Sequence, residues 1–458
     1  MIGRVAGRMS ATIVTALGMC TLVGQGAAQA GPHATEDIVR TRQFRMPDTS
    51  RFRIVLENGL VGFVVPDHSA PVVRLTAFVR GGYADADKRG AARMLEWALR
   101  HRGPCWLGPS RLDQSLEAMT ADLTVLMGPE LMEISLTADA SEARRAMRMF
   151  SGVVRETCIE PEGIEAFRRE EQGGAVDSVD APTAAARLFG RVLFRDHEYR
   201  RDLSPEEVDG FDVDDVERFY RRNFNPASVT LSISGAFDMN DMALSVDQRF
   251  ADWEWHRPPR LSRADNIRTP EPGTVTRTTV AIPEDQVVMG HELPRLEPRE
   301  LTAVQVLNYI LAGSSESRVG RAVLGPSGPA FDVLGVVTPR VRGPGSVTVR
   351  AVTRPGLADS VVGMIRMAIE SLQVESVTDG ELQAAREALA DREFRRRFRT
   401  GTAIARTFAL EWTRYLTFDY LVRYPRWIRA VDSKDVRRAA QRYLHPDRML
   451  VVILDSGL

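Results

Sequence analysis

Histidine is scarce in this sequence: His33, His68, His101, His197, His256, His291 and His445 are all of it. No two of them lie three to five residues apart, which excludes a zinc site built from a local histidine pair on one helix. Lysine occurs only as Lys88 and Lys434, so nearly all of the sixty basic residues are arginine, and sixty-one acidic residues balance them along the chain. That balance argues against a nucleic-acid-binding surface. Beyond the N-terminal region no segment offers ~20 uninterrupted apolar residues, so no integral membrane segment is expected in the mature protein. Cysteine is limited to Cys20, Cys105 and Cys158.

What is present begins with an address. Arg4 and Arg8 precede an apolar stretch from Ala11 to Val23, too short for a permanent membrane anchor, and Ala28-Gln29-Ala30 then supplies small residues at the positions a signal peptidase reads. Residues 1–30 are therefore predicted to be a cleaved signal peptide and the mature protein to be exported, with a periplasmic location. Met19 is bulkier than the small residue that precedes a lipidated cysteine, which disfavours a lipoprotein at Cys20. After cleavage Cys105 and Cys158 remain, an even number in a compartment where a disulfide is chemically allowed. Sequence alone leaves a bridge and two free thiols equally open.

Residues 31–50 lack any period and are expected to be a flexible tail. From Phe52 the pattern becomes strand-like: Phe52 to Leu56, an Asn58-Gly59 turn, Val61 to Val65, then Val72 to Val79. Helical periodicity follows at Gly90 to Arg100 and Pro109 to Met119. Strands return at Asp122 to Met127 and Leu131 to Thr137, and another helix runs from Ser141 to Glu156. This unequal alternation, with hairpins, predicts an α+β fold rather than a doubly wound parallel sheet.

An internal repeat organises the whole. The segment Phe211 to Pro226 reappears as Val431 to Pro446, and a constant offset of 220 pairs Asp212 with Asp432, Asp215 with Asp435, Arg222 with Arg442 and Pro226 with Pro446. Each copy reads as one unit: an aspartate caps a helix, the proline ends it, and an apolar strand follows. The proline- and charge-rich stretch 257–274 reads as a semi-rigid linker. Two homologous lobes follow, residues 51–256 and 275–458, each a mostly antiparallel sheet packed with helices.

With these segments in order, the chain resembles the insulinase/pitrilysin-like zinc peptidases, in particular their short bacterial and mitochondrial-processing-type members. The resemblance rests on Leu56-Glu57-Asn58-Gly59-Leu60, Pro71-Val72-Val73 followed by Gly81-Gly82, and Gly90-Ala91-Ala92-Arg93-Met94-Leu95-Glu96-Trp97. Phe219 to Pro226 and Ser317-Arg318-Val319 extend it, so that it covers nearly the whole mature chain. It implies two lobes closing as a clam-shell around a chamber, where a peptide adds as a strand to a sheet edge.

The same resemblance exposes what is missing. The family places two histidines at i and i+4 with a glutamate beside the second as general base. Here Arg93 and Trp97 stand at the histidine positions and only Glu96 is retained. A guanidinium has no lone pair to offer, and an indole nitrogen only donates. The third-ligand position aligns with Gly173 or Gly174, Gly174 being the chosen register, with Glu170 or Glu171 as shifted equivalents. In the other lobe, alignment on Ser317-Arg318 puts Leu324 and Phe331 where the family has an arginine and a tyrosine that grip substrate and stabilise the oxyanion. Zinc is therefore not expected as a cofactor. Glu96 reads most simply as a member of an exposed ion-pair cluster with Arg93 and Arg100.

The expectation is an exported, non-catalytic family member, a pseudopeptidase that pairs with an active zinc-peptidase homologue and helps to enclose or bind peptide. Two other readings stand beside it: an active zinc peptidase with a site reassembled from Glu96, His101 and His197, and a solitary periplasmic peptide-binding or scaffold protein. The arginine-rich run Arg392 to Arg399, with Phe394 and Phe398 at i and i+4, reads as an amphipathic helix with a solvated face. Gly325-Pro326-Ser327-Gly328 lacks the Lys-Ser/Thr of a phosphate-binding turn. Trp253-Glu254-Trp255 is expected to close the core of the first lobe.

Overall fold

The structure, a computed structural model, describes residues 44–108, 111–173, 180–258, 261, 271 and 273–457. The predicted signal peptide, residues 31–43 of the predicted tail and most of the predicted linker lie outside the described residues. Arg45–Leu458 form one compact unit. Order within it begins ahead of residue 50, because Asp48 accepts the Ser50 N–H at 3.0 Å and caps a single 3-10 turn, Thr49–Arg51.

Two sheets carry the duplication. The first comprises β1 (Arg53–Val55), β2 (Val61–Pro66), β3 (Val72–Arg80), β4 (Asp122–Met127), β5 (Leu131–Asp139) and β6 (Val229–Gly235), in the order β1-β2-β6-β3-β5-β4. The second comprises β7 (Val275–Val280), β8 (Asp285–Leu293), β9 (Ala330–Thr338), β10 (Gly345–Thr353) and β11 (Leu450–Ser456), in the order β7-β11-β8-β10-β9. In each sheet a single parallel pair, β2 with β6 or β7 with β11, is followed by antiparallel pairs only. The sheets therefore correspond strand for strand, with β1 as the extra member of the first. β6 and β11 are the strands that the 220-residue offset pairs in the sequence.

Local chemistry explains why the repeat is legible. Asp212 and Asp432 each sit in extended backbone and accept the N–H of Asp215 and Asp435, at 3.0 and 2.8 Å, while the later aspartate returns the bond. Both capping boxes start helices, Val213–Asn223 and Ser433–Tyr443, whose apolar faces pack and whose ends deliver the chain into β6 and β11. The Asn58-Gly59 turn forms as expected, with Gly59 at φ 84°. Asn58 is tied across the lobe by donating to the carbonyls of Phe250 and Trp253. Trp253 packs on Phe250, whereas Trp255 is exposed, so only the first tryptophan of that trio serves the core.

One feature of the packing divides the lobes differently from the chain. Helix Ala181–Leu193 lies within the first half of the sequence, yet its Ala185, Phe189 and Leu193 bury against Val288 of β8 and Leu450, Val452 and Leu454 of β11. Conversely, helix Gly401–Tyr415 lies across β6, β2 and β3 of the first sheet. Its Phe408 is fully buried and stacks near Phe63 at 5.9 Å between ring centroids. The starts of these helices are again 220 residues apart. Each sheet thus has one face covered by its own helices and the other by a helix from the opposite half.

Polar contacts reinforce the exchange. Asp67 accepts the Gly401 N–H at 2.6 Å, Ser234 and Thr402 share a hydroxyl hydrogen bond at 2.9 Å, and Arg406 forks onto Glu133. The turn between β4 and β5 supplies Glu130, whose carboxylate accepts three consecutive backbone N–H groups, Val341 at 2.9 Å, Arg342 at 2.9 Å and Gly343 at 3.1 Å. Arg342 itself binds Asp85 through two bonds of 2.7 Å. Charge-assisted bonds of this kind are the strong ones.

The expected solvated helix at Arg392–Arg399 is only partly such. Ala388–Glu393 forms a wider π-turn, and Phe394 and Phe398 are both buried, Phe394 stacked on Tyr424 and Phe398 against Phe408. The arginine face nonetheless finds local partners, Arg395 with Asp391 and Arg392 with the Tyr309 hydroxyl.

Two outcomes follow. Phe408→Ala removes a ring that no helix of the first lobe can replace, and is expected to lower unfolding free energy by about 3 to 5 kcal/mol in chemical denaturation. Glu411, on the same helix, is 7% exposed, and one of its carboxylate oxygens finds no hydrogen-bond partner among the described residues. Burial pushes its carboxyl up to about 7. A carboxyl raised in the folded state binds its proton more tightly there than in the unfolded chain, so it costs stability as pH rises from its ordinary range near 4.5 to about 7. Glu411→Gln is therefore expected to be more stable than the parent by about 1 to 3 kcal/mol at pH 8, with the difference vanishing below pH 4.5.

Candidate functional site

Helix Arg89–His101 carries the retained motif. Gly90, Ala91, Ala92, Met94, Leu95, Ala98 and Leu99 form its buried face. Gly90 is required by close approach: a β-carbon there would stand 2.1 Å from the Glu207 carbonyl oxygen. Ahead of the helix, Gly82 is equally constrained, since a β-carbon would fall 2.0 Å from the Gly128 carbonyl, and Gly81 adopts φ 106°. The Gly81-Gly82 pair thus lets the end of β3 run against the turn that follows β4. After the helix, a disulfide joins Cys105 to Cys158, with Cα atoms 4.5 Å apart, tying the outgoing loop to the end of helix Ala143–Glu156.

The polar face of the motif helix is an ion cluster. The Arg93 guanidinium donates to Glu96 and, at 2.9 Å, to Glu171. Burial works against its charge, but the two carboxylates more than offset this and hold its pKa above the ordinary arginine value. Glu96 is 7% exposed. Its carboxylate also accepts the Met127 N–H at 2.9 Å and Arg201 at 3.2 Å to each oxygen, while Arg201 donates to the Met127 carbonyl at 2.7 Å. Trp97 donates its indole N–H to Glu170 at 2.7 Å. The expected cluster is therefore corrected in membership and in depth. Arg100 turns to Asp113 at 2.8 Å, Arg201 takes its place, and Glu96 is buried rather than exposed. The physical reason is that Glu96 points toward the β4 edge, where Met127 and Arg201 converge.

Two of the residues weighed for the third-ligand position lie against the motif helix. Gly174 lies outside the described residues. Glu170 and Glu171, at the end of helix Pro161–Gln172, meet the two positions where histidines were looked for, Glu171 at Arg93 and Glu170 at Trp97. The residues present do not fit a zinc ion: the two i, i+4 positions offer a permanently protonated cation and an N–H donor. Among the described residues no three His, Cys, Asp or Glu side chains are grouped to hold a metal. His101 donates to the Trp97 carbonyl at 2.9 Å and stacks on the Trp97 ring, and the His197 ring accepts the Tyr199 N–H at 3.0 Å.

In the second lobe, Ser317 caps helix Arg318–Val323 by accepting the Gly320 N–H at 3.1 Å. Arg318 pairs with Glu381 at 3.0 Å, and despite burial these bonds hold the Glu381 carboxyl down to about 2. Leu324 follows that helix half-buried. Phe331 is 53% exposed at the start of β9, with the Arg354 guanidinium 4.8 Å over its ring. Neither side chain brings a charge or hydroxyl to the motif helix. Near the β4–β5 turn lies a cavity of about 390 Å³ lined in part by Arg80, Leu126, Glu130, Arg340 and Arg414.

Against known proteins, residues 210–389 match the family described as "Peptidase M16 inactive domain". An uncharacterized zinc protease of Mycobacterium leprae is 23% identical over 216 residues, 46% of this chain and 48% of that protein. The match thus spans about half the length of that curated relative. Among solved structures, the peptidase M16 inactive domain from Pseudomonas fluorescens is similar in fold, with a TM-score of 0.70 at 17% identity over 89% of this chain and 98% of the other. A chain of Complex III2 from Candida albicans is similar too, with a TM-score of 0.66 at 12% identity over 88% and 95% of the respective chains.

Placing imidazoles at the two positions tests the geometry. Arg93→His combined with Trp97→His leaves Glu96 between two imidazoles at i and i+4 and frees Glu170 and Glu171. This double variant is expected to take up zinc stoichiometrically by elemental analysis, and to lose it again when both glutamates are changed to glutamine.

Proposed function

The chain belongs to the insulinase-like peptidase family, and we propose that within it this protein is an exported, non-catalytic subunit that partners an active zinc-bearing relative and helps to enclose its peptide substrate. The observation that carries this reading is the Arg93 cluster. At the helix turn where the family holds two metal-binding imidazoles, a guanidinium neutralises Glu96 and Glu171 instead. Glu96 is left as an acceptor of three donor residues, Arg93, Arg201 and Met127, with no activated water to serve. Leucine and phenylalanine at positions 324 and 331 remove the charge and the hydroxyl that would stabilise an oxyanion.

Other features support the finer parts of the reading. A periplasmic location draws on the basic, apolar and small-residue order of residues 1–30 and on the Cys105–Cys158 bridge, which persists in oxidising compartments. Partnership draws on the match to an inactive family domain and on the likeness to a chain of a multi-subunit complex. The arginine-lined cavity beside the β4–β5 turn is a place where peptide carboxylates or carbonyls would find donors. A reassembled zinc site gains no support, because His101 and His197 are committed to backbone partners.

Protein purified from its source is expected to contain substoichiometric zinc, to show no chelator-sensitive peptide cleavage alone, and to carry a zinc peptidase homologue in native mass spectrometry. Stoichiometric zinc with cleavage abolished by Glu96→Ala would falsify the non-catalytic reading. A chain that purifies without any zinc peptidase would leave the solitary peptide-binding reading in its place.

A further inference from the structure

On the helical face of the second lobe, helices Pro298–Ala312, Asp419–Ala430 and Ser433–Tyr443 enclose a groove of about 1110 Å³. Arg299, Arg423, Arg426, Arg438 and Arg442 stand around it, all exposed, against only two acids, Glu300 and Asp435. Arg442 is paired with Glu300 at 3.0 Å and Arg438 with Asp435. Among the described residues Arg299, Arg423 and Arg426 have no carboxylate partner. Three guanidinium groups without a carboxylate partner therefore share one concave surface whose two acids are already paired.

The floor is apolar. Trp427 is half-buried, its ring 6.1 Å from that of Tyr420, and Ala430, Val431 and Ala439 continue the surface. The first lobe, built on the same plan, does not repeat this arrangement. The offset of 220 residues sets Glu206 opposite Arg426 and Glu207 opposite Trp427. Glu207 is consumed internally by Arg200, and Arg222, the counterpart of Arg442, is consumed by Asp87. Among the described residues, the offset positions of Arg426 and Trp427 in the first lobe are thus acidic.

We propose that this groove is a docking site for an extended acidic segment of a partner polypeptide, whose carboxylates pair with Arg299, Arg423 and Arg426 while an apolar side chain lies on Trp427. Guanidinium groups favour bidentate carboxylate pairing, and an aromatic floor ringed by arginine has the composition of a binding hot spot. Glu300 and Asp435 within the groove disfavour a uniform polyanion, since they would repel unbroken negative charge, and the apolar floor would go unused by one. The site lies apart from the motif helix, and the proposal holds whether or not that helix supports catalysis.

Fluorescence anisotropy with the full chain tests it, using a labelled peptide of alternating glutamate and leucine, its lysine counterpart, inorganic polyphosphate and anionic phospholipid vesicles. The acidic peptide is expected to bind more tightly than the other three probes, and to weaken as salt is raised. Arg423→Glu with Arg426→Glu is expected to reduce its affinity by at least about tenfold. Arg299→Glu alone should give a smaller loss, and Arg221→Glu, on the first lobe, none. Because these side chains are exposed, circular dichroism should not change. Equal binding of acidic and basic peptides, tighter binding of polyphosphate or vesicles, or affinity indifferent to both the double and the Arg299 variant would each overturn the proposal.

Discussion

A sheet flanked by helices on one side leaves its other face apolar, and that face must be covered for the sheet to persist. Here neither half of the chain covers both faces of its own sheet. Phe408 and its helix seal the first sheet from the second half, while Phe189 and its helix seal the second sheet from the first half. A change that weakened one crossing helix would expose a sheet in the lobe opposite to the one in which it occurred. The Glu130 carboxylate in its ring of three backbone N–H groups, and the Arg342–Asp85 pair, then act on halves already held together by apolar burial.

Within that frame the motif helix buries one face in the core and sets an ion cluster on the other. Positive charge is still present between the carboxylates, but as a guanidinium fixed on the chain rather than an ion with exchangeable ligands. The difference is chemical rather than electrostatic. Arg93 satisfies Glu96 and Glu171 as a cation would, and it can neither polarise a carbonyl as a Lewis acid does nor lower the pKa of a bound water. The likeness in fold and the presence of Arg93 and Trp97 in place of imidazoles are therefore compatible, since the packing residues and the ion cluster lie on opposite faces of one helix.

Much of this was legible in the residues. The strand and helix periods around Val61, Val72, Asp122 and Leu131 place elements within a residue or two of their observed bounds, because alternation and capping are local properties. The repeat predicted two like lobes, and the equivalent strand orders agree. The partner of each crossing helix was not legible: amphipathicity says that Phe189 and Phe408 need an apolar surface, not which of two similar sheets supplies it. Arg201 was likewise silent, since it reaches Glu96 from a loop 105 residues away and lies in a stretch with no period. Glu170 and Glu171 were visible as shifted alternatives, and only the fold of helix Pro161–Gln172 against the motif helix puts them at Trp97 and Arg93.

The turn Met127–Leu131 serves two masters. Its first residue presents both backbone groups to the Glu96 and Arg201 pair, and three residues later Glu130 grips the backbone of the opposite lobe. The seating of the Glu96 carboxylate and the junction with the second lobe therefore share one short segment. A residue inserted or deleted in this turn would shift the Met127 N–H away from Glu96 and Glu130 away from the 341–343 backbone at once. The length of one turn thus fixes two distances in different parts of the molecule.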